Sequence, residues 1–205
     1  MMRVAGIVLC GGRSSRMGRP KAWLPFGDEL LLPRVVRLLG EVVSPVVVVA
    51  APDQDVPPLP ADIHIVRDEA AFLGPLNGLA AGLTALQGRV DAAYLSACDV
   101  PFLKAAFVRR VIEGLENADV CLPEFGGYRH PLAAVYRLSV LPTVRRLLSE
   151  NRLRPAFVAD EHPTVVLTER ELREVDPEMA STRNLNTEDE YRAALADRGR
   201  EAGRP

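Results

Sequence analysis

Residues 4–10 (VAGIVLC) and 46–50 (VVVVA) are apolar at every position, and this pattern constrains the fold more than any other feature of the chain. A strand with one face in water alternates apolar and polar side chains; a run without alternation is buried on both faces. Shorter runs at 63–66 (IHIV) and 92–97 (AAYLSA) repeat the signal. Between the first two runs, Leu31, Leu32, Val35, Val36, Leu38, Leu39, Val42 and Val43 recur at helical spacing on one broad face. Residues 76–86 read as a helix rich in small side chains, and 103–115 as another helix. Strand, helix and strand repeated in this way predict an α/β protein with a mostly parallel sheet and helices on both faces, a three-layer α/β/α, Rossmann-like arrangement.

The rhythm loosens in the second half. Residues 120–122 and 132–136 read as strands separated by the polar segment FGGYRHP, 140–148 as a helix and 165–167 as a late edge strand. Thr187 and Glu190 have the spacing of a capping box, which predicts a closing helix over 187–195. Residues 1–196 are read as a single domain, and 197–205, which lack an apolar period, as a disordered tail.

Composition excludes several function classes. A formal net charge of −2 over 205 residues gives no basic footprint for nucleic acid. The run VVSPVVVVAA is interrupted by Pro45 and too short to cross a bilayer, and the N-terminal apolar stretch lacks a secretory pattern, so no membrane role is expected. Three cysteines without a C-x-x-C read as buried thiols in a reducing, cytoplasmic compartment.

In a parallel sheet, ligands bind beyond the C-terminal ends of the strands, so the polar residues there carry the chemistry. The first strand ends in LCGGRSSRMGRPK. Gly11 and Gly12 let backbone approach a ligand, and Arg13, Arg16, Arg19 and Lys21 add positive charge in one short span. Lys21 could meet a phosphate as a point charge and Arg16 as a fork. The spacing fits neither a Walker loop nor a dinucleotide fingerprint, since Lys21 is followed by Ala22, and Pro20, Pro25 and Gly27 delay the helix to about Leu31. Asp99 follows the fourth strand, where Pro101 stops it; it could hold Mg²⁺ against phosphate oxygens or cap the next helix. Asp68 ends the third strand, as a second site carboxylate or a turn former. GPLNGLAAGL admits close helix-to-sheet packing or a helix start that accommodates a nucleoside, with Asn77 as a polar contact. Arg129 and His130 could line an anionic acceptor pocket, whereas His64 and His162 show no partner in the sequence.

Together these segments resemble the molybdenum cofactor guanylyltransferases of the MobA type, within the nucleotidyltransferase superfamily. The resemblance runs from Val4 to about Ala194 and rests on LCGGRSSRMGRPKAWLPFG, VRDE at Asp68, GPLNGL at Gly74, CDVPF at Asp99, HPLAAVYR at His130 and NLNTEDEY at Asn184. It implies a nucleotidyltransferase fold and transfer of GMP from GTP to the phosphate of a molybdopterin-type acceptor, with Mg²⁺ as cofactor. It further implies nucleotide contacts from Leu9, Cys10, Gly11, Gly12, Lys21, Asp68 and Asp99, catalytic roles for Arg16, Lys21 and Asp99, and Mg²⁺ on Asp99. Asn184 and Asn186, and with less support Arg154, fall at the acceptor side, and transient contact with molybdoenzymes or their chaperones would deliver the product. Cys10 stands where the family has alanine, and Ala50-Ala51-Pro52-Asp53 where it can carry an asparagine. A cytidylyltransferase, another transferase acting on a related pterin, isoprenoid or sugar phosphate, and a non-catalytic nucleotide-binding module are the alternative expectations.

Overall fold

The computed structural model describes residues 2–11, 20–68 and 74–202. Its elements follow the apolar pattern. Strand β1 (Val4–Leu9) leads through a short hairpin, β2 (Pro25–Phe26) and β3 (Glu29–Leu30), into helix α1 (Leu31–Gly40) and strand β4 (Val46–Ala50). Strand β5 (His64–Arg67), helix α2 (Pro75–Leu86), strand β6 (Ala92–Ala97) and helix α3 (Ala105–Glu113) complete the first half. The second half comprises β7 (Val120–Phe125), β8 (Tyr128–Arg129), β9 (Ala134–Arg137), α4 (Leu141–Ser149), α5 (Ala156–Glu161), β10 (Thr164–Thr168), α6 (Glu169–Arg173) and α7 (Glu188–Ala202).

Among the described residues, the main sheet runs in the order β10-β7-β9-β6-β1-β4-β5, with β8 paired to β7. β1 pairs in parallel with both β4 and β6, and β9 runs antiparallel to β6 and β7. Alternate side chains of β1 feed two separate cores. Val8 and Cys10 pack with Leu32, Val35, Val36 and Leu39 of α1 and with Phe107, Val108 and Val111 of α3. Ala5, Ile7 and Leu9 pack with Leu76, Leu79 and Leu83 of α2 and with Leu141, Val144 and Leu147 of α4. Those two cores are the two faces of one sheet, which makes the three-layer arrangement direct. Each buried leucine stabilises it by about 1.5–3 kcal/mol relative to exposure.

Two glycines explain how close α2 lies. A Cβ at Gly78 would stand 2.8 Å from Leu9 Cδ2, and one at Gly82 2.7 Å from Ile7 Cδ1. The small-residue face of GPLNGLAAGL therefore serves helix-to-sheet packing, and the start of the same helix also borders a cavity described below.

A third core joins the hairpin to the end of the chain. Leu24, Phe26, Leu31 and Phe102 bury against Leu185, Tyr191 and Ala194, with Phe26 and Phe102 edge-to-face at 5.4 Å. Residues 197–202, expected in a disordered tail, instead continue α7. Arg198 pairs with Asp28 and Asp197 with Arg183, so charged contacts to the hairpin and to the preceding segment hold a stretch that lacks an apolar period. Residues 203–205 lie outside the described residues. Among the described residues no helix is long and apolar enough to cross a membrane.

Candidate active site

Connections from β1 move through β4 to β5 on one side, and the chain then crosses back to place β6 on the other. The order reverses at the β1–β6 pair, where a crevice opens beyond the strand ends. The last registered pair there is Leu9 with Ala97, and the cavity begins at the next residues. It has a volume of about 520 Å³, within the range of small-molecule sites. Leu9, Cys10, Gly11, Lys21, Asp68, Asp99, Asn184 and Asn186 all line it, although they come from five separate stretches of chain.

Asp99 stands in the turn just past β6 and is 7% exposed. Its Oδ2 accepts from Lys21 Nζ at 2.7 Å and its Oδ1 from the Asn184 amide at 2.9 Å. Lys21 Nζ also donates to Asn186 Oδ1 at 2.9 Å. The local sequence explains why two asparagines arrive together. Leu185 is fully buried in the third core and its N–H donates to the Asp99 carbonyl at 3.0 Å. In extended chain, residues i and i+2 share a face, so anchoring Leu185 inward turns Asn184 and Asn186 outward to the carboxylate and the lysine.

Asp68 lines the same cavity, at the end of β5, and its N–H donates to the Ala50 carbonyl at 2.9 Å. The Asn77 amide donates to the Asp68 carboxylate, so Asn77 ties β5 to the start of α2 rather than reaching the cavity itself. Cys10 N–H donates to Val49 and its carbonyl accepts from Gln54, so its backbone polar groups already have protein partners. Sequence reasoning missed Gln54. It also accepts from Ala51 N–H at 3.1 Å, clamping the ends of β1 and β4 together, and a lone Gln in a Pro-rich loop gives no signal of this. Gly12, Arg13, Arg16 and Arg19 lie outside the described residues.

A second cavity of about 370 Å³ adjoins the first, and Pro75, Ala97, Leu132 and Asn184 line both. Arg129, His130 and Arg154 border it, which brings Arg154 to the neighbouring Arg129 and His130. Burial pushes the His130 imidazole below its ordinary value, and the ring stacks on Phe125 at 3.6 Å with Nε2 3.3 Å from the Phe125 carbonyl. A carbonyl can only accept, so Nε2 carries the hydrogen and the positive charge at this cavity comes from the arginines. Arg129 is paired with Asp160 at 3.0 Å, whereas Arg154 is exposed and has no ion pair among the described residues. His162, without a partner in the sequence, bonds to Asp119 at 3.0 Å and to Thr143 at 2.9 Å and lines neither cavity.

Asp176 fixes the wall that leads to Asn184. Its carboxylate is fully buried, accepts from Ser181 N–H at 2.8 Å and pairs with Lys104 Nζ at 2.7 Å. Burial alone would raise its pKa, but Lys104 and Ser181 outweigh that and hold the pKa below its ordinary 3.8. A depressed carboxyl contributes stability that is complete above the unfolded value and is lost as pH falls through the folded one. Asp176→Asn is therefore expected to destabilise the protein by about 1–2 kcal/mol at neutral pH. In urea unfolding, the gap to wild type should hold at neutral pH and narrow only as pH falls below about 5. A gap already closing at about pH 6 would contradict the depressed carboxyl.

Comparison with known proteins identifies the family. The sequence profile described as a MobA-like NTP transferase domain matches residues 6–165. The chain belongs to that family. Among its relatives, a probable molybdenum cofactor guanylyltransferase of Mycobacterium tuberculosis H37Rv is 38% identical over 164 residues, covering 77% of this chain and 79% of that protein. A molybdenum cofactor guanylyltransferase of Desulfosudis oleivorans is 34% identical over 198 residues, covering 96% of each. The crystal structure of molybdopterin-guanine dinucleotide biosynthesis protein A from Archaeoglobus fulgidus superposes with a TM-score of 0.79 at 21% identity, covering 96% of this chain and 99% of that one. Membership of the MobA-like family agrees with the mostly parallel sheet flanked by helices, the fold shared with that crystal structure.

Proposed function

We propose that the protein transfers GMP from GTP to the phosphate of a molybdopterin-type acceptor, with release of pyrophosphate. The observation that carries this reading is the pair of adjoining cavities that share a wall at Asn184, beside the Lys21–Asp99 pair. The first is assigned to the nucleotide and the second, bordered by Arg129 and Arg154, to the anionic acceptor. An acceptor phosphate oxygen attacking the α-phosphorus from the second cavity displaces pyrophosphate in the first, so no protein nucleophile is required. The work left to the chain is positioning and charge neutralisation.

Lys21 exchanges its contact with Asp99 for the phosphates and neutralises charge on the departing pyrophosphate, with Arg16 as its partner. Asn184 keeps the Asp99 carboxylate oriented when Lys21 leaves it, and Asp68, steadied by Asn77, is assigned to the ribose. Among the described residues no group of three or more His, Cys, Asp and Glu gathers to cage a metal. Asp99 instead offers a carboxylate with spare lone pairs in the lining of the nucleotide cavity, which fits Mg²⁺, an ion that takes one or two carboxylates and completes its shell with phosphate and water. Bound to Asp99, Mg²⁺ would supply charge neutralisation on the phosphate oxygens. The three free cysteines support a reducing, cytoplasmic setting, where transient contact with molybdoenzymes or their chaperones would pass the product on.

Thermal unfolding with Mg²⁺ and each of GTP, CTP, ATP and UTP tests the nucleotide assignment. A ligand at about a hundredfold its Kd stabilises by ~2.7 kcal/mol, which for a domain of this size moves the midpoint by about 5–11 °C. The expected result is a shift with GTP alone. A shift with CTP alone would replace guanylyl by cytidylyl transfer, and no shift with any nucleotide would remove the first cavity from the nucleotide.

A further inference from the structure

Two of the three cysteines stand where β1 and β6 end. The register ends with Leu9 opposite Ala97, and Cys10 and Cys98 are the next residue on each side, just past the strand ends and immediately before Gly11 and Asp99, with Cys98 N–H donating to the Leu9 carbonyl at 3.0 Å. Both side chains belong to the same core layer, so they lie on the same face of the sheet. Paired positions on neighbouring strands are about 4.8 Å apart, inside the span of roughly 4.4–6.8 Å that a disulfide bridges between Cα atoms. The Gln54 amide donates to Cys10 Sγ at 3.3 Å, and the nearness of the two thiols lowers the pKa of Cys10 and raises that of Cys98. Each residue is 6% exposed, and both line the 520 Å³ cavity, which gives a small reagent a route to them. Cys121 differs on every count: it lies on β7, is 0% exposed and does not line the cavity. The transfer mechanism uses neither Cys10 nor Cys98 as a reacting group.

We propose that Cys10 and Cys98 form a reversible disulfide across the ends of β1 and β6, which closes the first cavity to its ligand. The oxidant is a low-molecular-weight disulfide. Cys10 sulfur attacks one of its sulfurs to form a mixed disulfide, and the first small thiol leaves with the Cys10 proton. Cys98 sulfur then attacks the Cys10 sulfur, and the second small thiol leaves with the Cys98 proton. Two protein thiols are oxidised to one disulfide and the small disulfide is reduced to two thiols, so atoms and electrons balance. Because the new bond lies next to Gly11 and Asp99, it fixes the separation of the loop and the carboxylate that the ligand must fit between. That effect on nucleotide binding rests on the reading of the first cavity given above; formation of the bond does not.

The test treats the native full-length protein with oxidised glutathione, followed by mass measurement, thiol counting and peptide mapping. Free thiols should fall from three to one, the mass should drop by two hydrogen atoms, and the mapped bond should join Cys10 to Cys98, reversibly with dithiothreitol. Cys98→Ser should stop at a glutathione adduct on Cys10. Three thiols left free, or stable glutathione adducts on the wild type without the internal bond, would overturn the proposal. GTP binding should be lost in the oxidised protein and return on reduction; a cross-linked protein that binds GTP as well as the reduced one overturns the closing effect. If the reduced protein itself fails to bind GTP, the nucleotide reading falls, while the thiol count still decides the bond.

Discussion

Replacing Asp99 by asparagine is expected to cut GMP transfer by about 10²–10³-fold, the usual loss when one preorganised electrostatic contact is removed. The side chain keeps its shape and can still meet the Asn184 amide, but loses the charge that would hold Mg²⁺ at the nucleotide. The fold is expected to survive. The Lys21–Asp99 contact is a charge-assisted hydrogen bond at 2.7 Å between side chains 18% and 10% exposed, and its replacement by a neutral one costs about 1–2 kcal/mol. Set against a total stability of about 5–15 kcal/mol, that leaves a folded protein, which urea unfolding can verify alongside the rate. Transfer at near-wild-type rate in the folded variant would remove Asp99 from the reaction.

Lys21→Ala is expected to lower turnover by a similar factor of about 10²–10³, and to act on kcat more than on KM. In the proposed transfer Lys21 meets phosphate in the bound nucleotide, but its charge counts most as negative charge accumulates on the departing pyrophosphate. Arginine is not expected to rescue it. A compact ammonium fits between Asp99 and Asn186, whereas a planar guanidinium needs a fork of acceptors. A variant with unchanged kcat and raised KM would confine Lys21 to ground-state binding.

The sheet was legible in the sequence because its central strands are buried on both faces. Residues 46–50 and 92–97 match the observed β4 and β6, and 4–10 differs from β1 by one residue. The unread parts lack that signal. The five-residue α6 carries a capping box from Thr168 to Glu171 that was visible as T-x-x-E, yet no apolar period follows it to mark a helix. α7 continues past residue 196 because Asp197 and Arg198 find charged partners at Arg183 and Asp28, and such long-range pairing leaves no local trace.

The site shows the same division. Lys21 and Asp99 each stood out at a strand end or loop, but they lie 78 residues apart, and Lys21 and Asn186 lie 165 apart. Spacing cannot announce such contacts; only resemblance to a family grouped the asparagines with the lysine and the carboxylate. Asn77, whose helix the sequence left open between close packing and a nucleoside contact, shows a partner that spacing did not announce, the Asp68 carboxylate. Cys98 reads in the sequence as a buried thiol like the other two, and only the β1–β6 register brings it to Cys10.

The most direct test of the central claim follows the α-phosphate of GTP. With Mg²⁺, molybdopterin and GTP labelled at that position, the label should move to the acceptor as pyrophosphate appears in equal amount. Binding of GTP without movement of the label, or movement of label from CTP in its place, would contradict the account.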